Sequence, residues 1–329
     1  MLAPLVVLFG GAGYIGSVLA RRLLLENFRV RIVDNFLFGN SGIREIASNP
    51  QLEIVSADIC DTHALSSATK GADVVVLLAA IIGRRKEPVE RADMRDINFL
   101  ASSVVLDAAL EHGASRFIFA STDSVYGLQS GVIYETTTPE PVSLYSRLKL
   151  RMEERVINAD SRYFHTTALR ISTCHGYSPR MRFDLVANTF IRDAFFKNEI
   201  RVEGGNQYRS FVHVDDVARA FTSCIKAHAN LISGEVFNIG SHGQSVQIKH
   251  LANIVKTLKP EINVLFEEAE VDMSDYYLSC SKANKILDFS PAWTLERSLQ
   301  EVLTSLEAGE FPDAYNFKYY NIKDCISLK

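Results

Sequence analysis

The chain has 329 residues, enough for one large core or for a core with a smaller lobe, and its 35 basic and 39 acidic side chains leave a net charge of −4. There is no long like-charge run and no apolar run near the ~20 residues of a membrane span, so neither nucleic acid nor a membrane is expected as partner. Five scattered cysteines (Cys60, Cys174, Cys224, Cys280, Cys325) show no C-x-x-C or Cys/His ligand spacing, which points to a reducing, cytoplasmic compartment and to no metal.

Leu2–Phe9 is too short for a leader and lacks a basic flank, so Leu5–Phe9 reads as a first, buried strand. It runs into Gly10, Gly13 and Gly16 and then a helical pattern from Tyr14 to about Glu26. The first glycine of such a turn permits the bend, the second lets phosphates approach the backbone, and the third lets helix and strand pack closely. The free N–H groups and dipole of the helix start then face an anion. Asp34 ends the next strand, 18 residues beyond Gly16, where a carboxylate meets the ribose hydroxyls of NAD and repels the extra phosphate of NADP.

Further strands are expected at Leu52–Ala57, Asp73–Ala79, Arg116–Ala120 and Thr166–Ser172, alternating with helices at Asp61–Lys70, Arg91–His112 and Leu144–Asn158. This alternation predicts an α/β fold with a doubly wound parallel Rossmann sheet, whose ligands sit beyond the carboxyl ends of the strands. Past residue 174 the alternation loosens. Helices are expected at Phe183–Lys197, Val214–His228, Ile248–Leu258 and Leu295–Glu307, with short strands at Arg209–His213, Glu235–Ile239 and Asn263–Phe266. Residues 1–173, with a return of about 210–240, form the expected dinucleotide domain. Residues 174–329 form mainly a smaller, discontinuous C-terminal lobe, with a cleft for a second ligand between them.

Tyr145 and Lys149 stand four apart on one predicted helix and so share a face. An ammonium beside a phenol lowers the tyrosine pKa from its usual ~10 toward neutrality, giving a base for a hydroxyl proton. Thr122, near the end of the fifth strand, is a hydroxyl placed for the same substrate oxygen.

The segments Gly10–Gly16 (GGAGYIG), Asp34-Asn35, Ala120–Gly127 (ASTDSVYG), Tyr145–Lys149 (YSRLK) and Arg209–Ala218 (RSFVHVDDVA) resemble the extended short-chain dehydrogenase/reductase superfamily. The nucleotide-sugar epimerase/dehydratase branch fits best, and the motifs run in order over nearly the whole chain. The resemblance implies a tightly held NAD that oxidises a sugar carbon, usually C4, of a nucleotide-activated sugar, in a homodimer packed through Arg91–His112 and Leu144–Asn158. It implies Thr122, Tyr145, Lys149 and Asp123 as catalytic residues. The cofactor set is Gly10, Gly13, Tyr14, Ile15, Gly16, Asp34, Asn35, Asp58, Ile59, Leu78, Ala79, Ala80, Asn98, Tyr145 and Lys149. Within it, Asp58 matches the position beside the adenine and Asn98 a helix asparagine near the tyrosine.

The 4,6-dehydratases of this branch read Thr-Asp-Glu where this chain has Thr122-Asp123-Ser124. Ser124 is far too weak a base for the C5 proton, so elimination is disfavoured and 4-epimerisation or 4-oxidation remains. A dehydratase stays as an alternative should a carboxylate arrive from elsewhere. A non-catalytic dinucleotide sensor is the alternative of another class, and the joint presence of Thr122, Tyr145 and Lys149 argues against it. Ser178–Asn188 (SPRMRFDLVAN) resembles a bacterial set that includes NAD-dependent dehydrogenases of GDP-activated heptoses.

For the substrate, the expected contacts are Arg84, Ser124, Thr173, Arg182, Asn188 and Arg209. Arg180 and Arg182 are forked donors suited to phosphate, with a salt bridge to Asp184 as the competing use. Two departures from the resemblance stand out: Ser274 replaces a second diphosphate arginine, and Phe9 replaces a small or hydroxyl residue ahead of the glycines. His175 is expected to hold backbone rather than substrate, and His213 with Asp215 and Asp216 to cap and dock the helix that follows.

Overall fold

The computed structural model describes residues 3–82, 93–241, 243–268 and 275–321. β1 (Leu5–Phe9) buries all five side chains, Val6 and Leu8 in one apolar cluster and Leu5, Val7 and Phe9 in another. Two-sided burial is what makes a parallel strand read as a continuous apolar run. It also accounts for Phe9, whose ring is spent on the core.

The glycine turn leads to α1 (Tyr14–Leu25), β2 (Arg29–Asp34), β3 (Leu52–Ser56), α2 (Thr62–Thr69) and β4 (Val74–Leu77). Asp61 caps α2, its Oδ1 accepting from the Ala64 N–H at 3.0 Å. A π-helical turn, Asp96–Ala101, then runs into α3 (Ser102–Glu111), followed by β5 (Arg116–Thr122), β6 (Ser130–Ile133), α4 (Leu144–Asn158), β7 (His165–Ile171) and β8 (Thr173–His175). Further main elements are α5 (Val186–Lys197), β9 (Glu199–Glu203), β10 (Tyr208–His213), α6 (Val214–Lys226) and β11 (Glu235–Ile239). After them come β12 (Ser245–Gln247), α7 (Ile248–Leu258), β13 (Asn263–Glu267), β14 (Asp275–Leu278), α8 (Ser281–Leu287) and α9 (Leu295–Glu307).

The main sheet has seven strands in the order β11-β7-β5-β4-β1-β2-β3, and every pair is parallel. The chain winds outward from β1 in one direction and from β4 in the other, so the crevice for a ligand opens between β1 and β4. α1 and α6 pack together on one face, while α2, α3 and α4 cover the other. β11 pairs with β7, which returns the chain to the main sheet after its first excursion. Three small sheets, β12-β10-β8, β13-β9 and β14-β6, build the remainder.

The expected elements recur with boundaries shifted by a few residues, and β5 reaches Thr122 rather than Ala120. The expected helix Arg91–His112 begins outside the described residues and is interrupted by the π-helical turn. β6, β12 and β14 fall outside the sequence-based expectation: each has four residues or fewer and pairs with a strand far along the chain. β8 and β9 are likewise additional. Among the described residues no helix is long and apolar enough to cross a membrane, and no group of three His, Cys, Asp or Glu is placed to hold a metal.

Candidate active site

The glycine turn is shaped by close approach. Gly10 has φ +81°, the left-handed region, and a Cβ there would come within 2.7 Å of the Ala79 nitrogen. A Cβ on Gly16 would run into the Gly10 carbonyl and lie 2.6 Å from Gly11 Cα. Gly13 forms the N-cap of α1 without any side-chain cap, so the first-turn N–H groups of Tyr14, Ile15 and Gly16 lack intrahelical acceptors and face outward as an anion site. The Tyr14 side chain has another use. Its hydroxyl donates to the Gly176 carbonyl at 2.7 Å, which ties the segment after β8 to the start of α1.

At the end of β2, Asp34 accepts from the Ala12 N–H at 3.0 Å and from the Phe36 N–H at 2.9 Å. Burial raises its pKa despite those bonds. The Asn35 amide donates to Asp58 at 2.8 Å, linking the ends of β2 and β3, and the Cys60 N–H and Asn35 hold the Asp58 carboxylate below its usual range. Ile59 is half-buried beside it. Leu78 and Ala79 both donate to the Phe9 carbonyl at 2.9 Å, so Leu78–Ala80 follow β4 along the glycine turn. The Asn98 amide exchanges two 2.8 Å bonds with the Ile81 backbone and fixes the segment leaving β4.

The second cluster lies at the end of β5 and the first turn of α4. Ser143 caps α4 reciprocally with Ser146, its Oγ accepting from the Ser146 N–H at 3.0 Å, which fixes Tyr145 in the first turn. Thr122 Oγ1 lies 3.2 Å from Ser124 Oγ and accepts from the Ser124 N–H at 3.2 Å. Asp123 is buried, and desolvation pushes its carboxyl up to about 7, with Arg209 as the main opposing charge. Burial likewise pushes the Tyr145 phenol up to about 12; Arg182 works against that shift, while Asp123 and Cys174 add to it. Asp123, Tyr145, Cys174, Arg182 and Arg209 therefore share one electrostatic neighbourhood.

The expectation that Lys149 depresses the Tyr145 pKa needs correction. The tyrosine is shifted upward, and the cation opposing the shift is Arg182. Lys149 Nζ instead sits 4.0 Å over the Phe119 ring, and burial draws its pKa down to about 7, with Glu153 as the one opposing charge. Sharing a helix face does not place two side chains in contact.

Behind the lysine is a buried polar network that sequence reasoning missed. Glu153 accepts from Ser121 Oγ at 2.5 Å and from Arg170 Nη2 at 2.6 Å. Arg170 also donates to Tyr126 at 2.8 Å, and Tyr126 donates to Asn238 at 2.7 Å. The available signal is Glu153, an acid four residues beyond Lys149 on the same face of the helix.

On the substrate side, Arg182 pairs two-pronged with Asp184 at 3.1 and 2.6 Å through Nε and Nη2. Asn188 is fully buried and internally committed, donating to the Arg182 carbonyl at 2.9 Å and accepting from the Gly176 N–H at 3.0 Å. Its role here is to hold the loop, which revises the expectation of substrate contact. Thr173 and Arg209 sit on the paired strands β8 and β10. Arg84, like Arg85, Lys86 and Ser274, lies outside the described residues. His175 Nδ1 lies 2.7 Å from Ser298 Oγ, and burial holds the ring well below its usual pKa. His213 caps α6 by accepting from the Asp215 N–H at 3.1 Å, and Asp216 accepts from the Ala292 and Trp293 N–H groups.

A doubly wound sheet with an uncapped glycine turn at the switch point, an acid ending β2 and a hydroxyl–carboxyl–phenol cluster at the end of β5 defines a dinucleotide-dependent enzyme of the short-chain dehydrogenase type. The model of the NAD dependent epimerase/dehydratase family matches residues 6–240, and the chain belongs to that family. It is 27% identical to a dTDP-L-rhamnose 4-epimerase of Burkholderia thailandensis over 91% of this chain and 94% of the relative. It is 26% identical to a dTDP-glucose 4,6-dehydratase of Escherichia coli over 91% and 92%. Among solved structures, UDP-glucuronic acid 4-epimerase from Bacillus cereus in complex with UDP-glucuronic acid and NAD superposes with a TM-score of 0.84. That match has 26% identity and covers 92% of this chain and 99% of the other.

Proposed function

We propose that this enzyme oxidises C4 of a nucleotide-activated sugar and works as a 4-epimerase, with net 4-dehydrogenation as the second reading. The observation that carries the proposal is the cluster at the end of β5, in which Thr122, Asp123 and Ser124 adjoin Tyr145 with a serine where elimination needs a glutamate. The glycine turn, the open start of α1 and Asp34 fit NAD, which when bound supplies the hydride acceptor and a positive charge. Tyr145 takes the C4 hydroxyl proton and Thr122 holds the same oxygen. Arg182 favours the phenolate that forms. Asp123, its carboxyl raised to about 7 by burial, lies in the same electrostatic neighbourhood. Lys149 supplies a cation one helical turn beyond the tyrosine. Dehydrogenation is favoured by the segment Ser178–Asn188, for the resemblance described above.

Residues 1–173 with about 210–240 hold the cofactor in this account, and the remainder supplies the sugar-nucleotide side, with Arg209 acting on Asp123 and Thr173 on the strand paired with that of Arg209. In this reading the enzyme works in the cytoplasm as a homodimer. Its contact is through α3 and α4, whose outer faces share an open cleft of about 440 Å³ lined by Phe99, Leu106, Arg151 and Asn158. Light scattering that returns a monomer mass would remove the dimer.

A panel of UDP-, GDP-, CDP- and dTDP-sugars, read by mass spectrometry and NMR, tests the reaction. An unchanged mass with altered ring couplings marks the epimerase, and a loss of two hydrogens marks the dehydrogenase. A loss of water would overturn both.

A further inference from the structure

Arg180 is only 2% exposed, yet none of its three guanidinium nitrogens has a hydrogen-bond partner among the described residues. Native interiors seldom leave a charged donor set in that condition, because desolvating a cation is costly and its bonds are what offset the cost. The guanidinium carbon lies 4.2 Å from the Phe38 ring centre. A stacked ring satisfies the face of the group and leaves the in-plane N–H donors unused.

The neighbouring carboxylates do not meet that need. Both oxygens of Asp34 are taken by the Ala12 and Phe36 N–H groups, and both of Asp184 by Arg182. The Arg180 backbone is anchored at the start of α1. Its N–H donates to Ser178 Oγ at 3.3 Å, and that hydroxyl in turn donates to the Tyr14 carbonyl at 2.8 Å and lies 3.0 Å from Ser17 Oγ. The stem passes Gly42, where an added Cβ would come 3.1 Å from Arg180 Cβ. The fork therefore comes from the loop between β8 and α5 to a place bounded by the turn after β2 and the uncapped first turn of α1. A second anion-directed feature, the open N-terminus of the twelve-residue α1, lies at the same place.

We infer that Arg180 is a ligand of the NAD diphosphate, completing with its in-plane donors the anion site that the glycine turn and the start of α1 open. This assignment rests on the NAD reading above. It makes the segment after β8 part of the cofactor site, so that ordering of that segment and cofactor retention are coupled.

The test is calorimetric titration of the full-length protein, freed of cofactor, with NAD and with ADP-ribose, which carries the diphosphate without the nicotinamide. Thermal denaturation of the cofactor-free protein is measured alongside. Arg180→Met is expected to weaken both ligands at least tenfold, while the cofactor-free melting temperature stays level or rises because a desolvated cation is gone. Arg180→Lys, which keeps charge without the fork, is expected to fall between Met and wild type. A folded Arg180→Met protein with wild-type affinity for both ligands would overturn the assignment. If the Met variant does not fold, wild-type affinity in Arg180→Lys would overturn it. Absence of NAD and ADP-ribose binding by the wild type would overturn the cofactor reading itself, a result distinct from a loss confined to the variants.

Discussion

Glu153 on α4 and Arg170 on β7 form a two-point ion pair in the dry interior, with Arg170 Nη2 2.6 Å from Oε1 and Nε 3.2 Å from Oε2. Both side chains are almost wholly buried. Lys149 precedes Glu153 by one turn of the same helix, so this pair is the electrostatic backing of the lysine that the proposed mechanism uses.

Glu153→Gln leaves Arg170 as an uncompensated buried cation, at a cost of about 3–5 kcal/mol in stability. Glu153 is also the charge that opposes the burial-driven fall of the Lys149 pKa to about 7. Removing it drives that pKa lower, so Lys149 loses its proton at lower pH and the alkaline limb of the kcat profile moves to lower pH. An unmoved profile together with an unmoved melting temperature contradicts the network's role.

Tyr145→Phe removes the proton acceptor and preserves the ring. Turnover should fall by about 10²–10⁴-fold, the usual worth of a positioned acid–base group, while NAD affinity measured by calorimetry stays within twofold (roughly 0.4 kcal/mol). Retained turnover would take the tyrosine out of the mechanism.

Asp123 should show in the pH dependence of stability. Its folded pKa of about 7 stands above the unfolded carboxyl value. The folded state therefore favours the neutral form, and stability falls as pH rises through the window between the two values, levelling off above 7. Asp123→Asn cannot ionise and escapes that loss. Denaturant unfolding should show the variant gaining about 2–4 kcal/mol on wild type between pH 4 and pH 8. A gap of the same size at both pH values excludes the shift.

Gly16→Ala pushes a methyl into the Gly10 carbonyl and the Gly11 backbone. Neither neighbour is a flexible side chain, so the glycine turn itself must move, at about 1–3 kcal/mol by analogy with overpacked cores. NAD affinity should drop in parallel with the melting temperature. A variant equal to wild type in both would show that α1 does not depend on that close approach.

The glycine turn was readable from the chain because Gly10, with its positive φ, and Gly16, packed on the Gly10–Gly11 backbone, answer local needs that no other residue meets. The bounds of α4 were readable for a similar reason, since Ser143 and the amphipathic run after it mark a helix start. What escaped depends on contacts between distant residues. The π-helical turn at Asp96–Ala101 holds Asn98, whose amide meets Ile81 seventeen positions earlier. Arg182 and Asn188 carry suitable donors for a sugar nucleotide, but Asp184 claims those of the first and the Arg182 carbonyl that of the second. The spacing of Tyr145 and Lys149 set the shared face correctly and the partner wrongly, because Phe119 and Glu153 surround the lysine.

The most direct measurement uses nucleotide sugars carrying deuterium at C4, incubated with the NAD-loaded enzyme in ordinary water and read by NMR and mass spectrometry. The account predicts that the label is lifted from C4, and that it returns to the same carbon with inverted configuration when the enzyme epimerises. Dehydrogenation would show instead as a 4-keto product without the label. Product that has lost water, or epimerised product whose C4 label never moves while solvent hydrogen enters another carbon, would contradict it.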